Sequence, residues 1–176
     1  MQNETIIAGF GGQGVLFTGK VMSYAALENN LEVTWFPSYG PEMRGGTANC
    51  TVVISDDEIG SPQVRRPRAA IVMNQPSLDK YEDLVQPGGY LTVNTSLVNR
   101  SVKRKDITVI EIPASEIAEE LGNIRFANIV LLGALFSKAD FLDLPSIEKG
   151  LKKGLKGKKS TLLDANITAL NKGATF

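Results

Sequence analysis

Apolar positions along the chain come in short runs separated by polar, glycine-rich or proline-rich breaks, and their period changes from run to run. Residues 5–8 form an apolar run too brief for a helix and read as a strand. A glycine-rich break at 9–14 follows. Val15, Thr18, Gly19, Met22 and Ala26 then recur at the spacing of one packed helix face, which Glu28, Asn29 and Asn30 close. Residues 32–36 read as a second strand. Within 48–55, Cys50, Val52 and Ile54 alternate with Thr51 and Val53, the period of a strand with two distinct faces. The break between these strands, 37–46, has no helical period and is short for a parallel crossover, so the third strand is expected to run antiparallel to its neighbour.

Further strands are predicted over 69–73, 90–93 and 107–112, and helices over 76–85, 113–121, 127–138, 145–155 and 160–172. Pro76 suits a first helical turn, and Gly173 stands where a C-cap would end the last helix. The 127–138 segment is apolar nearly all round, as a core helix is. Strands alternating with helices predict one α/β domain over 1–176. It should be Rossmann-like, with three layers and a mostly parallel sheet containing at least one antiparallel strand.

Composition narrows the chemistry. Lys plus Arg and Asp plus Glu both number 19, so no bulk charge draws the chain to nucleic acid or an anionic membrane. The longest apolar stretch, 129–136, is far below the roughly 20 residues that span a bilayer. Met1, Gln2, Asn3 and Glu4 lack the basic start of a signal peptide, so a cytoplasmic location is expected. Cys50 is the only cysteine and there is no histidine. A disulfide within the chain, an iron–sulfur cluster, a thiolate zinc site and His-based catalysis are therefore excluded. Any acid–base catalyst would be a carboxylate, Lys or Tyr. No catalytic residue and no metal ligand set is assigned.

Two constellations carry candidate binding chemistry. Gly9, Phe10, Gly11, Gly12, Gln13 and Gly14 fit the G-x-G-x-x-G pattern between a strand and a helix. Such a turn lets backbone approach a ligand and aims helix N–H groups at a phosphate or carboxylate, while the same glycines also suit a plain turn. A dinucleotide site further needs Asp or Glu at the end of the second strand. Trp35, Phe36 and Pro37 stand there instead, and Glu32 sits at the strand's other end, which argues against NAD. The second constellation runs from Pro37 to Gly46. Its prolines and glycines stiffen a loop carrying Ser38, Tyr39, Glu42 and Arg44, with Gly45 and Gly46 beside the arginine fork. A bland alternative is an internal Glu42–Arg44 pair. Asn128 reads as a cap of the core helix or a partner contact. Lys149, Lys152, Lys153, Lys156, Lys158 and Lys159 read as a solvated helix face, with ligand phosphates or an acidic partner protein as alternative targets.

Together, Gly9–Gly14, Pro37–Gly46, Ala127-Asn128 before Leu132-Gly133-Ala134, and Asn166, Ala169 and Gly173 resemble the gamma subunit or domain of 2-oxoacid:ferredoxin oxidoreductases. The resemblance covers essentially the whole chain, and its middle motif is most similar to that of 2-oxoglutarate enzymes, with branched-chain 2-oxoacid, pyruvate and indolepyruvate relatives behind. It implies a subunit of a complex converting a 2-oxoacid, coenzyme A and oxidised ferredoxin to acyl-CoA, carbon dioxide and reduced ferredoxin. Thiamine diphosphate, magnesium and iron–sulfur clusters would belong to alpha, beta or delta subunits, and none to this chain alone. The gamma domain would lie on the coenzyme A side, with Gly9, Gly11, Gly12, Gln13, Gly14, Ser38, Tyr39, Glu42, Arg44, Gly45 and Gly46 as the candidate cofactor-side residues. The competing reading is a free-standing nucleotide or acyl-CoA binding module.

Overall fold

The computed structural model describes residues 1–39, 45–156 and 161–176. In chain order the elements are β1 (Gln2–Phe10), α1 (Val15–Glu28), β2 (Glu32–Tyr39), β3 (Thr47–Ser55), β4 (Ala69–Val72), α2 (Gln75–Tyr81), β5 (Tyr90–Asn94), β6 (Thr108–Ile112), α3 (Ala114–Glu120), α4 (Ala127–Phe136), α5 (Leu144–Gly154) and α6 (Leu163–Ala174). Single 3-10 turns cover Glu82–Leu84, Thr95–Leu97 and Ile124–Phe126.

The six strands form one sheet in the order β2-β3-β1-β4-β5-β6. Strands β1, β4, β5 and β6 pair in parallel, and β3 runs antiparallel to both its neighbours, β1 and β2. The expected antiparallel third strand is thus present, inserted between the two strands of the first β-α-β unit. Alternation along the strands feeds two cores. Ile7, Cys50, Val52, Ile71 and Met73 pack with residues of α1, α3, α4, α5 and α6. Ile6, Ala8, Ala70, Val72, Leu91 and Val93 face Leu78 and Tyr81 of α2. Helices therefore cover both faces, one thickly and one with a single short helix.

Helix α4 is the centre of the thick layer. Asn128 through Phe136 are all buried, and each fully buried Leu or Ile there contributes about 1.5–3 kcal/mol. Its partner is α6, and two glycines set their separation. A Cβ on Gly133 would run into the Leu170 carbonyl, and one on Gly173 into the Val130 carbonyl. Gly173 is accordingly not the C-cap that its place near the chain end suggests. Helix α6 continues through Ala174, and the glycine serves close helix approach.

Helix α5 shows the complementary pattern. Asp143 caps it by accepting from the Ser146 N–H at 2.9 Å, Ile147, Gly150 and Leu151 are buried, and Lys149, Lys152 and Lys153 face solvent. Lys153 pairs with Glu28 of α1. The lysines up to Lys156 thus form the expected solvated face, while Lys158 and Lys159 lie outside the described residues.

Candidate functional site

Strand β1 ends at Phe10 and α1 begins at Val15, so Gly11 to Gly14 must reverse the chain at the carboxyl edge of the sheet. Gly12 and Gly14 do this with φ of 101° and 79°, left-handed values that disfavour any side chain. At Gly14 a side chain is also excluded by contact, because a Cβ would meet the Asn128 amide.

Side-chain amides lock the turn. Gln13 folds back so that its Oε1 accepts from the Phe10 N–H at 2.6 Å and from Asn74 Nδ2 at 3.1 Å. Asn74, at the end of β4, also caps α2 by accepting from the Ser77 N–H at 3.0 Å. Asn128 Nδ2 donates to the Gly14 carbonyl and to Thr18 Oγ1, both at 3.2 Å. Asn128 therefore does not cap its own helix: it ties the first turn of α1 to α4, and among the described residues its buried Oδ1 has no donor. Asn74 and Thr18 were missed as site residues. The Asn74-Gln75-Pro76-Ser77 string carries a readable N-cap signal, but nothing local shows that the same amide reaches Gln13.

The structure brings only part of the second constellation to this turn. Gly11 donates to the Gly46 carbonyl at 2.9 Å, and Gly45 donates to the Gly11 carbonyl at 3.4 Å. Residues 37–39 instead extend β2, which is longer than the expected 32–36. Ser38 pairs with Asn49, and Asn49 with Ala8, so β3 stands between Ser38 and the turn. An acid at the end of β2 would lie two strand spacings, about 9–10 Å, from β1. That separation is a geometric reason against a dinucleotide ribose contact here. Tyr39 continues β2, and Glu42 and Arg44 lie outside the described residues.

A cleft of about 410 Å³ opens beside the turn, lined by Phe10, Gly11, Gly12, Gly14, Val15, Leu16, Phe17 and Ala48. Its walls are mostly apolar. Among the described residues no side chain caps the N-terminus of α1, whose first N–H groups have no acceptor within the helix and carry its positive dipole end. The arrangement offers backbone donors at one end of an apolar trough. Among the described residues its lining holds no ionisable side chain, and no group of three or more His, Cys, Asp or Glu could hold a metal ion. Cys50 lies beneath α1 with its thiol 3.4 Å from the Val15 carbonyl. Burial pushes the Cys50 pKa up to about 12, so the thiol stays protonated and inert.

Residues 4–176 match the family model for pyruvate ferredoxin/flavodoxin oxidoreductase. The chain belongs to this family. Ketoisovalerate oxidoreductase subunit VorA of Methanothermobacter marburgensis is 40% identical, over 97% of this chain and 35% of that protein. The chain therefore spans about a third of the length of that relative. 2-Oxoglutarate synthase subunit KorC of Methanocaldococcus jannaschii is 37% identical, over 98% of this chain and 92% of the relative. The crystal structure of the keto/oxoacid ferredoxin oxidoreductase gamma subunit from Geobacter sulfurreducens PCA superposes with a TM-score of 0.83 at 27% identity, covering 98% and 96% of the two chains. The α/β fold expected from the sequence is thus that of an oxidoreductase gamma subunit. No helix among the described residues is long and apolar enough to cross a membrane.

Proposed function

We propose that this chain is the gamma subunit of a 2-oxoacid:ferredoxin oxidoreductase and works only within that complex. The observation that carries this reading is the family match over residues 4–176, joined to a fold that superposes on a keto/oxoacid ferredoxin oxidoreductase gamma subunit with a TM-score of 0.83. Within the complex, a 2-oxoacid and coenzyme A give acyl-CoA and carbon dioxide, and the electrons released go to ferredoxin. The chemistry of thiamine diphosphate, magnesium and iron–sulfur clusters belongs to alpha, beta or delta partners, since one inert cysteine and no histidine cannot hold a cluster.

This chain's part is to shape the coenzyme A side. The trough before α1 fits the acyl-bearing arm of a thioester, its apolar walls taking methylenes and its backbone N–H groups an anionic or carbonyl oxygen. Arg44 would supply the fork for a phosphate. The substrate acid stays at the level of the class, because the VorA and KorC relatives match this chain about equally well at 40% and 37% identity.

Co-expression with cognate alpha and beta subunits tests the proposal. Co-elution as one active complex is expected, whereas a free monomer that binds acyl-CoA alone would favour the free-standing binding module. In the complex, Arg44→Lys keeps the charge but loses the planar fork. It is expected to raise the Michaelis constant for coenzyme A with assembly intact. An unaltered constant together with unaltered assembly would reduce the loop to scaffold.

A further inference from the structure

A second cleft of about 470 Å³ lies at the carboxyl edge on the side of α3 and α4, behind the glycine turn. Its apolar lining includes Met73 and Leu131, both buried, and Leu97 and Ile124. Leu97 is 47% exposed and Ile124 48% exposed, so two large apolar side chains of one opening stand half in water. Folding alone gives no reason for that pairing, and apolar lips around a cleft mark contact surfaces. Glu116 and Glu119 add two exposed carboxylates, and neither makes an ion pair among the described residues. Arg125 supplies one opposing charge, leaving the lining net acidic.

Of the polar groups in the lining, Asn94 and Ser115 satisfy each other, while Asn128 Oδ1 is buried without a hydrogen-bond partner among the described residues. Asn94 Nδ2 donates to Ser115 Oγ at 2.9 Å, and the Ser115 N–H donates to Asn94 Oδ1 at 3.3 Å. Polar metabolites would find few free partners there, and phosphates would meet carboxylates. Charge and apolarity together suit a different occupant.

We infer that this cleft docks an apolar segment flanked by Lys or Arg, contributed by a partner subunit of the same complex. The inference rests on the reading that the chain works in such a complex. A large apolar residue of the segment sits between Leu97 and Ile124, and its basic flank pairs with Glu116 and Glu119. Such an anchor within a charged rim is the usual energetic layout of a protein interface.

The test is affinity for the cognate alpha and beta subunits, measured by titration with wild-type chain, the Glu116→Lys/Glu119→Lys pair and the Leu97→Ser/Ile124→Ser pair. All four positions are exposed, so each variant should melt close to wild type, which shows that it folds. Each pair is expected to weaken association at least about tenfold. The charge pair should also flatten the salt dependence, while Lys152→Glu on α5 should change little. Wild-type association with both variants equally tight would overturn the cleft assignment and leave the subunit reading standing. Failure of the wild-type chain to associate at all would overturn both.

Discussion

Individual residues in this chain do positional work more than chemical work. Glu82 shows how. It is almost fully buried after α2, where burial pushes its carboxyl pKa up, but Arg100 Nη1 at 2.7 Å and the N–H groups of Lys103 and Arg104 outweigh this and hold it below its ordinary value. A carboxyl lowered in the folded state contributes stability that is complete above its unfolded pKa, about 4.5, and is lost as pH falls through the folded value. Stability against urea should therefore drop below about pH 4.5, and Glu82→Gln should flatten that drop while costing about 1–3 kcal/mol at neutral pH. Equal acid sensitivity in the variant would show that the loss comes from other carboxyls. Cys50 gives a second test. With its thiol buried and its pKa near 12, labelling by a thiol reagent at pH 8 should wait for unfolding. Rapid labelling of folded protein would contradict the packing beneath α1.

At the scale of elements, the decisive contacts are between helices that approach through glycine. Gly133 and Gly173 let α4 and α6 touch backbone to backbone, and an added methyl at either meets a carbonyl oxygen. Gly133→Ala should destabilise the protein by about 1–3 kcal/mol despite alanine's better helix propensity. Thermal unfolding decides the sign. A midpoint equal to or above wild type would mean that helix propensity, not spacing, dominates at that position. The turn between β1 and α1 follows the same logic, since left-handed φ at Gly12 and Gly14 and the amides of Gln13, Asn74 and Asn128 hold it without any ligand. That preorganisation would spare a ligand the cost of ordering a loop.

Across the whole molecule, the proposed contacts gather at one edge of the sheet. The sheet's carboxyl edge carries an apolar trough on one side of the glycine turn and an acidic, apolar-lipped cleft on the other. Among the described residues neither cysteine nor histidine lines either cleft, and the carboxylates of the second, Glu116 and Glu119, are exposed. The purified chain alone should therefore show no ferredoxin reduction with any 2-oxoacid and coenzyme A, with or without thiamine diphosphate. Turnover by the lone chain at the rate of an assembled complex would remove the subunit reading.

Much of this was legible in the residues because it is local. Periodicity after Val15, the all-round apolar 127–138 segment, whose helix ends at Phe136, and the alternation of Cys50, Val52 and Ile54 each specify an element through the burial it must achieve, and the glycine turn through dihedral angles few other residues adopt. The missing histidine and the lone cysteine likewise set the chemistry before any fold was known. What sequence alone did not decide is which distant groups meet. The insertion of β3 between β1 and β2 moved Ser38 away from the turn. Asn74 lies 61 residues from Gln13, and Asn128 lies 114 residues from Gly14. Leu97 follows β5 and Ile124 follows α3, and the fold brings both to one cleft. Such contacts arise from packing of the whole chain, where a single amide or leucine has no periodic signature, so only the tertiary structure chose its partner.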